Sequence, residues 1–152
     1  MNEQAGHGRH GKGPEDTEED LPGALRTGGP HADLTEAVIG AAIRVQRALG
    51  PGLLESAYEA CLAHELRLEG HRVERQVELG LSYRGLEIPQ AFRMDLLVDD
   101  LVVVELKVVQ AFTDAHKAQI LSYLRFSGKP LGLLLNFGAY PMARHGIRRF
   151  VL

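Results

Sequence analysis

Residues 92–109 constrain the fold of this chain more than any other stretch. Two apolar runs rich in strand-forming residues flank the polar pair Asp99–Asp100, which is the pattern of a β-hairpin. Each run also contains charge: Asp95 lies in the first, and Glu105 and Lys107 lie in the second. Charged side chains are rarely buried unless they are paired or hold a metal. The hairpin is therefore predicted to carry a functional site.

The length of the hairpin loop decides whether these charges meet. Glu105 and Lys107 are two residues apart, so they point to the same face of their strand. A two-residue loop would put Asp95 on the opposite face, whereas a three-residue loop, 99–101, would put it directly across from Glu105. Their Cβ atoms would then be about 5 Å apart. We predict the three-residue loop, or a bulge with the same effect, and a divalent cation shared by the two carboxylates.

Two carboxylates and a lysine in this arrangement suit metal-dependent cleavage of a phosphodiester. Mg²⁺ prefers oxygen ligands and is typically held by one or two carboxylates together with substrate phosphate. The metal activates a water and clamps the phosphate. Lys107 can stabilise the developing negative charge or orient the attacking water. The competing interpretation is that Lys107 only balances the charge of Asp95 and Glu105.

Two amphipathic helices are predicted before the hairpin. Apolar residues recur at helical spacing from about residue 33 to Leu49, where the sequence Gly50-Pro51-Gly52 ends the helix. A second helix is predicted from about Leu53 to Glu69 and is ended by Gly70. Because the corner between them is tight, we expect both helices to pack on one side of the sheet that follows.

The rest of the pattern completes an α/β fold. Strands are predicted at about 72–83 and 146–152, and a helix at 113–127. The run 131–137 is continuously apolar, which is typical of a central strand buried on both faces. The predicted order α-α-β-β-β-α-β-β describes a meander followed by a crossover helix and a parallel strand. This is a mixed β-sheet flanked by helices.

The N-terminal segment differs in composition from the rest. Residues 1–31 contain seven glycines, three basic and six acidic residues, and almost no apolar ones. Such a segment buries too little surface to offset its ordering entropy, so we expect a disordered acidic, Gly-rich tail over 1–31 and one folded domain over 32–152. That domain is neutral, with fourteen charged residues of each sign. The six basic residues after Asp114 either face phosphates or form a solvated surface balanced by helix carboxylates.

Composition also bears on the compartment. The single cysteine, Cys61, excludes an intramolecular disulfide and fits a reducing cytoplasm. No apolar run is long enough to cross a bilayer, and the N-terminus lacks the apolar core of a signal peptide. We therefore expect a cytoplasmic protein without a membrane partner.

The charged hairpin resembles the signature of a known group of enzymes. The spacing of Asp95, Glu105 and Lys107 resembles that of the PD-(D/E)xK nuclease superfamily, with Met94 in place of the usual proline. The segment 52–58, Gly-Leu-Leu-Glu-Ser-Ala-Tyr, is similar to the signature of the GxxExxY family, a branch assigned to that superfamily. The resemblance covers nearly all of the chain after the tail. It implies a restriction-endonuclease-like core and hydrolysis of nucleic acid, DNA more than RNA, with Mg²⁺ or Mn²⁺.

The resemblance also implies roles for individual residues. Asp95 and Glu105 would be metal ligands, Glu55 a third ligand, and the carbonyl oxygen of Leu106 a fourth. The alternative for Glu55 is that it is only a favourable acid in the first turn of its helix. Lys107 would be the catalytic lysine.

A second motif lies in the predicted helix after the hairpin. The sequence Gln119-Ile-Leu-Ser-Tyr123 resembles the Q-x-x-x-Y motif of RecB-type nucleases, so Gln119 would position the catalytic lysine or the substrate. His116, Gln119 and Tyr123 lie on one stripe of this helix. The alternative is a purely structural role, in which Tyr123 packs against the sheet and His116 is a surface residue.

Two further residues are candidates for substrate contact by position. Tyr58 follows Glu55 by three residues on a helix, which suits a shared face or an ordinary surface contact. Arg93 shares the face of Asp95 by strand alternation, so it would contact phosphate or pair with an acid.

A different class of function competes with catalysis. A nuclease-like fold can serve as a catalytically silent module for nucleic-acid binding or protein assembly, and the neutral charge of the domain favours that interpretation. The intact Asp95, Glu105 and Lys107 argue against it. No Gly-rich nucleotide loop or nucleophile motif supports an enzyme of sugar or lipid metabolism.

Overall fold

The computed structural model describes residues 17–20 and 29–152. Within them the chain forms six strands and four helices. These are β1 Thr17–Asp20, α1 Ala32–Leu49, α2 Glu55–Leu68, β2 Val73–Tyr83, β3 Leu86–Val98, β4 Val102–Lys107, α3 Asp114–Ser127, β5 Leu131–Asn136, α4 Met142–His145 and β6 Ile147–Val151. The predicted order from α1 to β6 is confirmed, with the single turn α4 added between the last two strands.

The strands form one mixed sheet in the order β1-β6-β5-β4-β3-β2. Of the described strands, only β4 and β5 pair in parallel, and α3 connects them as the predicted crossover helix. The other neighbours pair antiparallel. Every residue of β5 is buried, because β5 lies between two strands and is covered on both faces. The α/β architecture predicted from the sequence is therefore correct.

Helices cover both faces of the sheet. Buried residues of α1 and α2 pack with alternate residues of β4, including Val102, Val104 and Leu106. On the other face, α3 packs with Val103 and with residues of β3, β5 and β6. Glu105 and Lys107 share the parity of Val103, so β4 directs both toward the α3 side.

The β3–β4 hairpin has the predicted three-residue loop. Val98 pairs with Val102, which leaves 99–101 as the loop. Asp99 and Asp100 take left-handed backbone conformations with φ of 50° and 58°, which aspartate tolerates better than most residues. The Asp99 carboxylate accepts hydrogen bonds from the His71 ring and the Arg72 backbone, at 2.7 and 2.8 Å. These contacts fix the loop, and through it the register of the two strands.

The N-terminal segment departs from its prediction in one place. Thr17–Asp20 forms β1, an edge strand paired antiparallel with β6, so the expectation of disorder does not hold for these four residues. Residues 1–16 and 21–28 of the predicted tail lie outside the described residues. Among the described helices, none has the length and hydropathy needed to cross a membrane.

Candidate active site

The hairpin register brings Asp95 and Glu105 together. The β3–β4 ladder ends at the pair Leu96–Val104, so the next residues of the two strands are Asp95 and Glu105. The Asp95 backbone N–H donates to the Glu105 carboxylate at 2.9 Å, and the Leu106 backbone N–H donates to the Asp95 carboxylate at 2.9 Å. Each carboxylate thus binds the backbone of the opposite strand where the strands stop pairing. The predicted proximity of the two acids is confirmed.

Asp95 also lies at the point where the alternation of side chains along β3 is interrupted, so that residues before and after it face opposite sides of the sheet. Leu96 and Val98 pack with α1 and α2, whereas Met94 packs on the α3 side. Regular alternation would put all three residues on one face. The exchange falls at Asp95, and its carboxylate is directed into the opening between β3 and β4 rather than into either core.

The two carboxyl groups are electrostatically coupled. Glu105 is only 2% exposed. Burial, and secondarily the charge of Asp95, raise the pKa of Glu105 to about 9. Burial likewise raises the pKa of Asp95, although the hydrogen bond from Leu106 opposes the shift. Two carboxyls this close, one buried and one half-buried, cannot both ionise cheaply, so near neutral pH the pair retains a proton in the absence of another cation.

Lys107 is held beside this pair by α3. Its ammonium group donates a hydrogen bond to the Gln119 side-chain oxygen at 2.9 Å, the contact expected for a residue that positions the lysine. Gln119 also hydrogen-bonds the Tyr123 hydroxyl, and burial together with the charges of Glu105 and Asp95 raises the pKa of Tyr123 to about 12. Tyr123 therefore remains a neutral phenol at physiological pH.

These groups open into one cleft of about 460 Å³ between α2, the β2–β3 hairpin and α3. Seven of the residues predicted for the site line it: Glu55, Arg93, Asp95, Glu105, Lys107, Gln119 and Tyr123. The sequence pattern thus identified most of the polar wall of the cleft.

Glu55 lies at the edge of this arrangement. It is the first residue of α2 and is half-buried. Burial, followed by the charge of Asp95, raises the pKa of Glu55, whereas a hydrogen bond from the Val108 backbone lowers it. Among the described residues, no group of three or more His, Cys, Asp and Glu side chains lies close enough to hold a metal. The predicted ligand set of Glu55, Asp95 and Glu105 is therefore not assembled as a closed cage, and Glu55 has the Val108 backbone as a hydrogen-bond partner.

Tyr58 does not face the cleft, which corrects its prediction as a substrate contact. Its side chain is fully buried and stacks on Phe137 with ring centroids 4.6 Å apart. Its hydroxyl donates to the Gly50 carbonyl at 2.6 Å and accepts from the Leu53 backbone at 3.3 Å. Tyr58 therefore fixes the Gly-Pro-Gly corner that orients α2, and only through α2 does it affect Glu55.

His116 is also outside the cleft lining. Its ring nitrogen Nδ1 accepts from the Thr113 backbone at 3.1 Å, while its own backbone donates to the Thr113 hydroxyl at 3.3 Å. This reciprocal pair is a capping box, which satisfies two free N–H groups at the start of α3. The predicted substrate contact is thus a helix cap.

The polar residues of the site that were missed from the sequence include Glu59 and Gln76, in addition to Glu78 and Gln90 of the cleft lining. Glu59, one turn after Glu55, is 4% exposed and accepts hydrogen bonds from Arg75 at 3.2 Å and from Gln76 at 2.7 Å. The Gln76 amide also contacts Asp95 at 3.5 Å. A signal for Glu59 existed, since it lies four residues after Glu55 on the same helix face. Nothing in the local sequence marks Gln76.

The donors present fit a hard divalent cation. The ligand atoms that Asp95 and Glu105 offer are carboxylate oxygens. The proton that this pair retains partly neutralises their negative charge, and a bound cation would do the same in its place. One or two carboxylates, with water and substrate phosphate, are the usual protein contribution to an Mg²⁺ site. None of the described residues that line the cleft is a histidine or a cysteine, and carboxylate oxygens favour a hard metal over a softer one.

A family model described as the PD-(D/E)XK nuclease superfamily matches residues 32–150, which is most of the chain. No curated protein and no solved structure matches the chain.

Proposed function

Because the chain belongs to the PD-(D/E)XK nuclease superfamily, we propose that it hydrolyses phosphodiester bonds of nucleic acid with Mg²⁺ or Mn²⁺. We take DNA before RNA as the substrate. The active residues in this proposal are Asp95, Glu105 and Lys107, with Gln119 as their support. Within the superfamily we assign the chain to the GxxExxY family and its RecB-like branch, with 32–152 as the catalytic domain and the cytoplasm as its compartment.

One observation supports the proposal most strongly: the buried carboxyl of Glu105 and the adjacent, half-buried carboxyl of Asp95 face the same cleft as a hydrogen-bonded lysine. Burying carboxyl groups side by side is costly, and a protein without use for them would be more stable with neutral residues there. A purely structural salt bridge would also place the lysine on the acids. Here the Lys107 ammonium bonds the neutral Gln119 instead.

The balance of charge explains why a cation is needed. Four acids line the cleft, Glu55, Glu78, Asp95 and Glu105, against the two bases Lys107 and Arg93. A phosphodiester is itself negative, so it is repelled by this wall until a cation neutralises the carboxylates. A metal bound by Asp95 and Glu105 would polarise the phosphate and lower the pKa of a bound water.

The chain's own residues then have distinct tasks. Lys107 stabilises negative charge as it develops on the phosphate oxygens. Gln119 fixes the lysine, and Tyr123 keeps a neutral hydroxyl in the cleft as a hydrogen-bond donor. Arg93 is exposed at the cleft rim, where it can bind a flanking phosphate without being buried.

Cleavage assays with matched variants test the proposal. Single- and double-stranded DNA and single-stranded RNA are incubated with the protein and Mg²⁺, Mn²⁺ or EDTA. We expect metal-dependent cutting that falls at least about 100-fold in Lys107→Met, since one charge-stabilising group is worth about 10²–10³ in rate. Lys129→Met is the matched control, because Lys129 pairs with Asp100 at the far end of the hairpin.

Asp95→Asn should likewise abolish cutting. If the Asp95→Asn variant and the Lys107→Met variant each cut nucleic acid as fast as the wild type, the assignment of this site is refuted. Salt-sensitive binding of nucleic acid without turnover, in any metal, would instead identify a catalytically silent binding module.

A further inference from the structure

Gln76 has an unusual backbone conformation for a residue inside a strand. Its φ is 52°, in the left-handed region that side chains other than glycine rarely occupy. The flanking pairs Arg75–Leu96 and Val77–Met94 keep a continuous register, so Gln76 lies directly opposite Asp95. Strained conformations of this kind persist where the surrounding structure holds them, and they cluster at functional sites.

The strain coincides with a change of face in β2. Val73 packs with α1 and α2, whereas Val77 packs on the α3 side, although alternation would put both on one face. The partner strand β3 makes the same exchange at Asp95. The left-handed turn of Gln76 thus allows both strands to switch faces at one point, and that point is where the Asp95 carboxylate leaves the sheet.

The Gln76 side chain adds a second link. Its amide nitrogen donates to the buried Glu59 carboxylate at 2.7 Å and lies 3.5 Å from the Asp95 carboxylate. One NH₂ group therefore stands between two carboxylates and offers one hydrogen to each. The other oxygen of Asp95 accepts from the Leu106 backbone. Both oxygens of Asp95 consequently have a donor, which fixes the orientation of the carboxylate.

We infer that Gln76 is a positioning residue for Asp95: its left-handed backbone turns β2 and β3 at the site, and its amide separates Asp95 from Glu59. This inference rests on the proposed function, because it assigns Gln76 to the same metal-binding carboxylate. If Gln76 positions Asp95, removal of the Gln76 amide makes the Asp95 carboxylate more mobile in the metal-free protein. It also weakens the binding of a divalent cation.

Two glycine variants separate the backbone from the side chain. Gln76→Gly keeps the left-handed conformation, which glycine adopts freely, and removes only the amide. Arg84→Gly is the matched control, since Arg84 also has a left-handed φ of 46° but lies at the exposed β2–β3 turn. Both variants relieve the same kind of backbone strain, so a difference between their effects measures the contribution of the Gln76 side-chain amide. Gln76→Val, which removes the amide and opposes the conformation, should exceed Gln76→Gly in every effect.

The first measurement is hydrogen exchange of metal-free protein in EDTA. The Leu106 amide, which donates to Asp95, is compared with the Leu133 amide of the neighbouring strand β5. In Gln76→Gly we expect the Leu106 amide to exchange about tenfold faster relative to the Leu133 amide. The variant lacks one hydrogen bond to Asp95, so the contact between Asp95 and the Leu106 amide opens more often. General destabilisation would speed both amides equally. An unchanged ratio in Gln76→Gly would overturn the inference.

The second measurement is the dissociation constant for Mn²⁺, by calorimetry. Residues that orient a metal ligand typically contribute 10–100-fold to affinity, so we expect weakening by about that factor in Gln76→Gly and none in Arg84→Gly. Equal affinity of Gln76→Gly and the wild type would also overturn the inference. A wild type that binds no Mn²⁺ and cuts no nucleic acid refutes the proposed function, and the exchange ratio at Leu106 then decides alone whether Gln76 positions Asp95.

Discussion

Replacing Glu105 by glutamine should make the metal-free protein more stable while it removes activity. Glutamine has the shape of a protonated glutamate, and its oxygen can still accept the hydrogen bond from the Asp95 backbone. Its amide can donate to the Asp95 carboxylate, which replaces the proton shared by the acids. The variant therefore keeps the contacts of the site and removes the cost of its second carboxyl.

The magnitude follows from the proton balance of Glu105. Because the pKa of Glu105 is about 9 in the folded protein, its carboxyl stays protonated there up to about pH 9, whereas in the unfolded chain it ionises near 4.5, the ordinary pKa of a glutamate. Between these values unfolding releases a proton, so the free energy of unfolding falls as pH rises, by about 1.4 kcal/mol per pH unit. At pH 7 the accumulated cost is about 3 kcal/mol. This free-energy cost is set by the interval between pH 4.5 and pH 7, because the Glu105 carboxyl stays protonated in the folded protein throughout that interval.

The assay is denaturant unfolding of the wild type and Glu105→Gln in EDTA at pH 4.5, 6, 7 and 8. We expect equal stability at pH 4.5 and a gain for the variant that reaches about 3 kcal/mol at pH 7, or a rise in Tm of about 6–12 °C. A variant no more stable than the wild type at pH 7, or a gain independent of pH, would refute the coupling of the two carboxyls.

Two further predictions follow from the same geometry. Mn²⁺ should displace the shared proton, so calorimetry at pH 7 in buffers of different ionisation enthalpy should detect release of about one proton per metal bound; no release would mean that the metal binds elsewhere. Tyr58→Phe should lower the free energy of unfolding by about 1 kcal/mol, because the hydroxyl bond to Gly50 is lost. It should leave kcat within about twofold, and a large loss of kcat at normal stability would return Tyr58 to the catalytic site.

The parts of the fold that local patterns determine were predictable. The hairpin loop was predicted because apolar runs on both sides and the need to pair Asp95 with Glu105 leave one consistent register. The ends of the predicted helix 113–127 follow from residue chemistry, since the Thr113 hydroxyl caps the start of α3 and Gly128 ends it in the left-handed conformation that glycine adopts freely. The burial of β5 follows from its uninterrupted apolar sequence.

The errors arose where tertiary contacts redirect a side chain. Tyr58 is three residues from Glu55, which leaves their side chains about 60° apart around the helix, and that separation is enough to place one at the cleft rim and the other in the core. His116 has the spacing of a site residue, yet its position in the first turn of α3 gives its ring a capping role. Spacing alone cannot distinguish these alternatives.

The missed residues depend on elements far apart in sequence. Glu59 is a charged residue on a helix, and its burial is tolerable only because Arg75 and Gln76 of β2 reach it. The left-handed conformation of Gln76 has no local signal, since glutamine has no preference for it. Both residues are specified by the packing of α2 on β2, which a pattern read along one element does not contain.

Anomalous diffraction from crystals of the wild type soaked in Mn²⁺ tests the central claim most directly. If Asp95 and Glu105 form the metal site of a nuclease, the strongest peak lies about 2 Å from an oxygen of each carboxylate, with Lys107 facing the same cleft. The peak disappears in Asp95→Asn. A peak elsewhere, or the same peak in Asp95→Asn, would contradict the assignment of the hairpin as a metal-dependent active site.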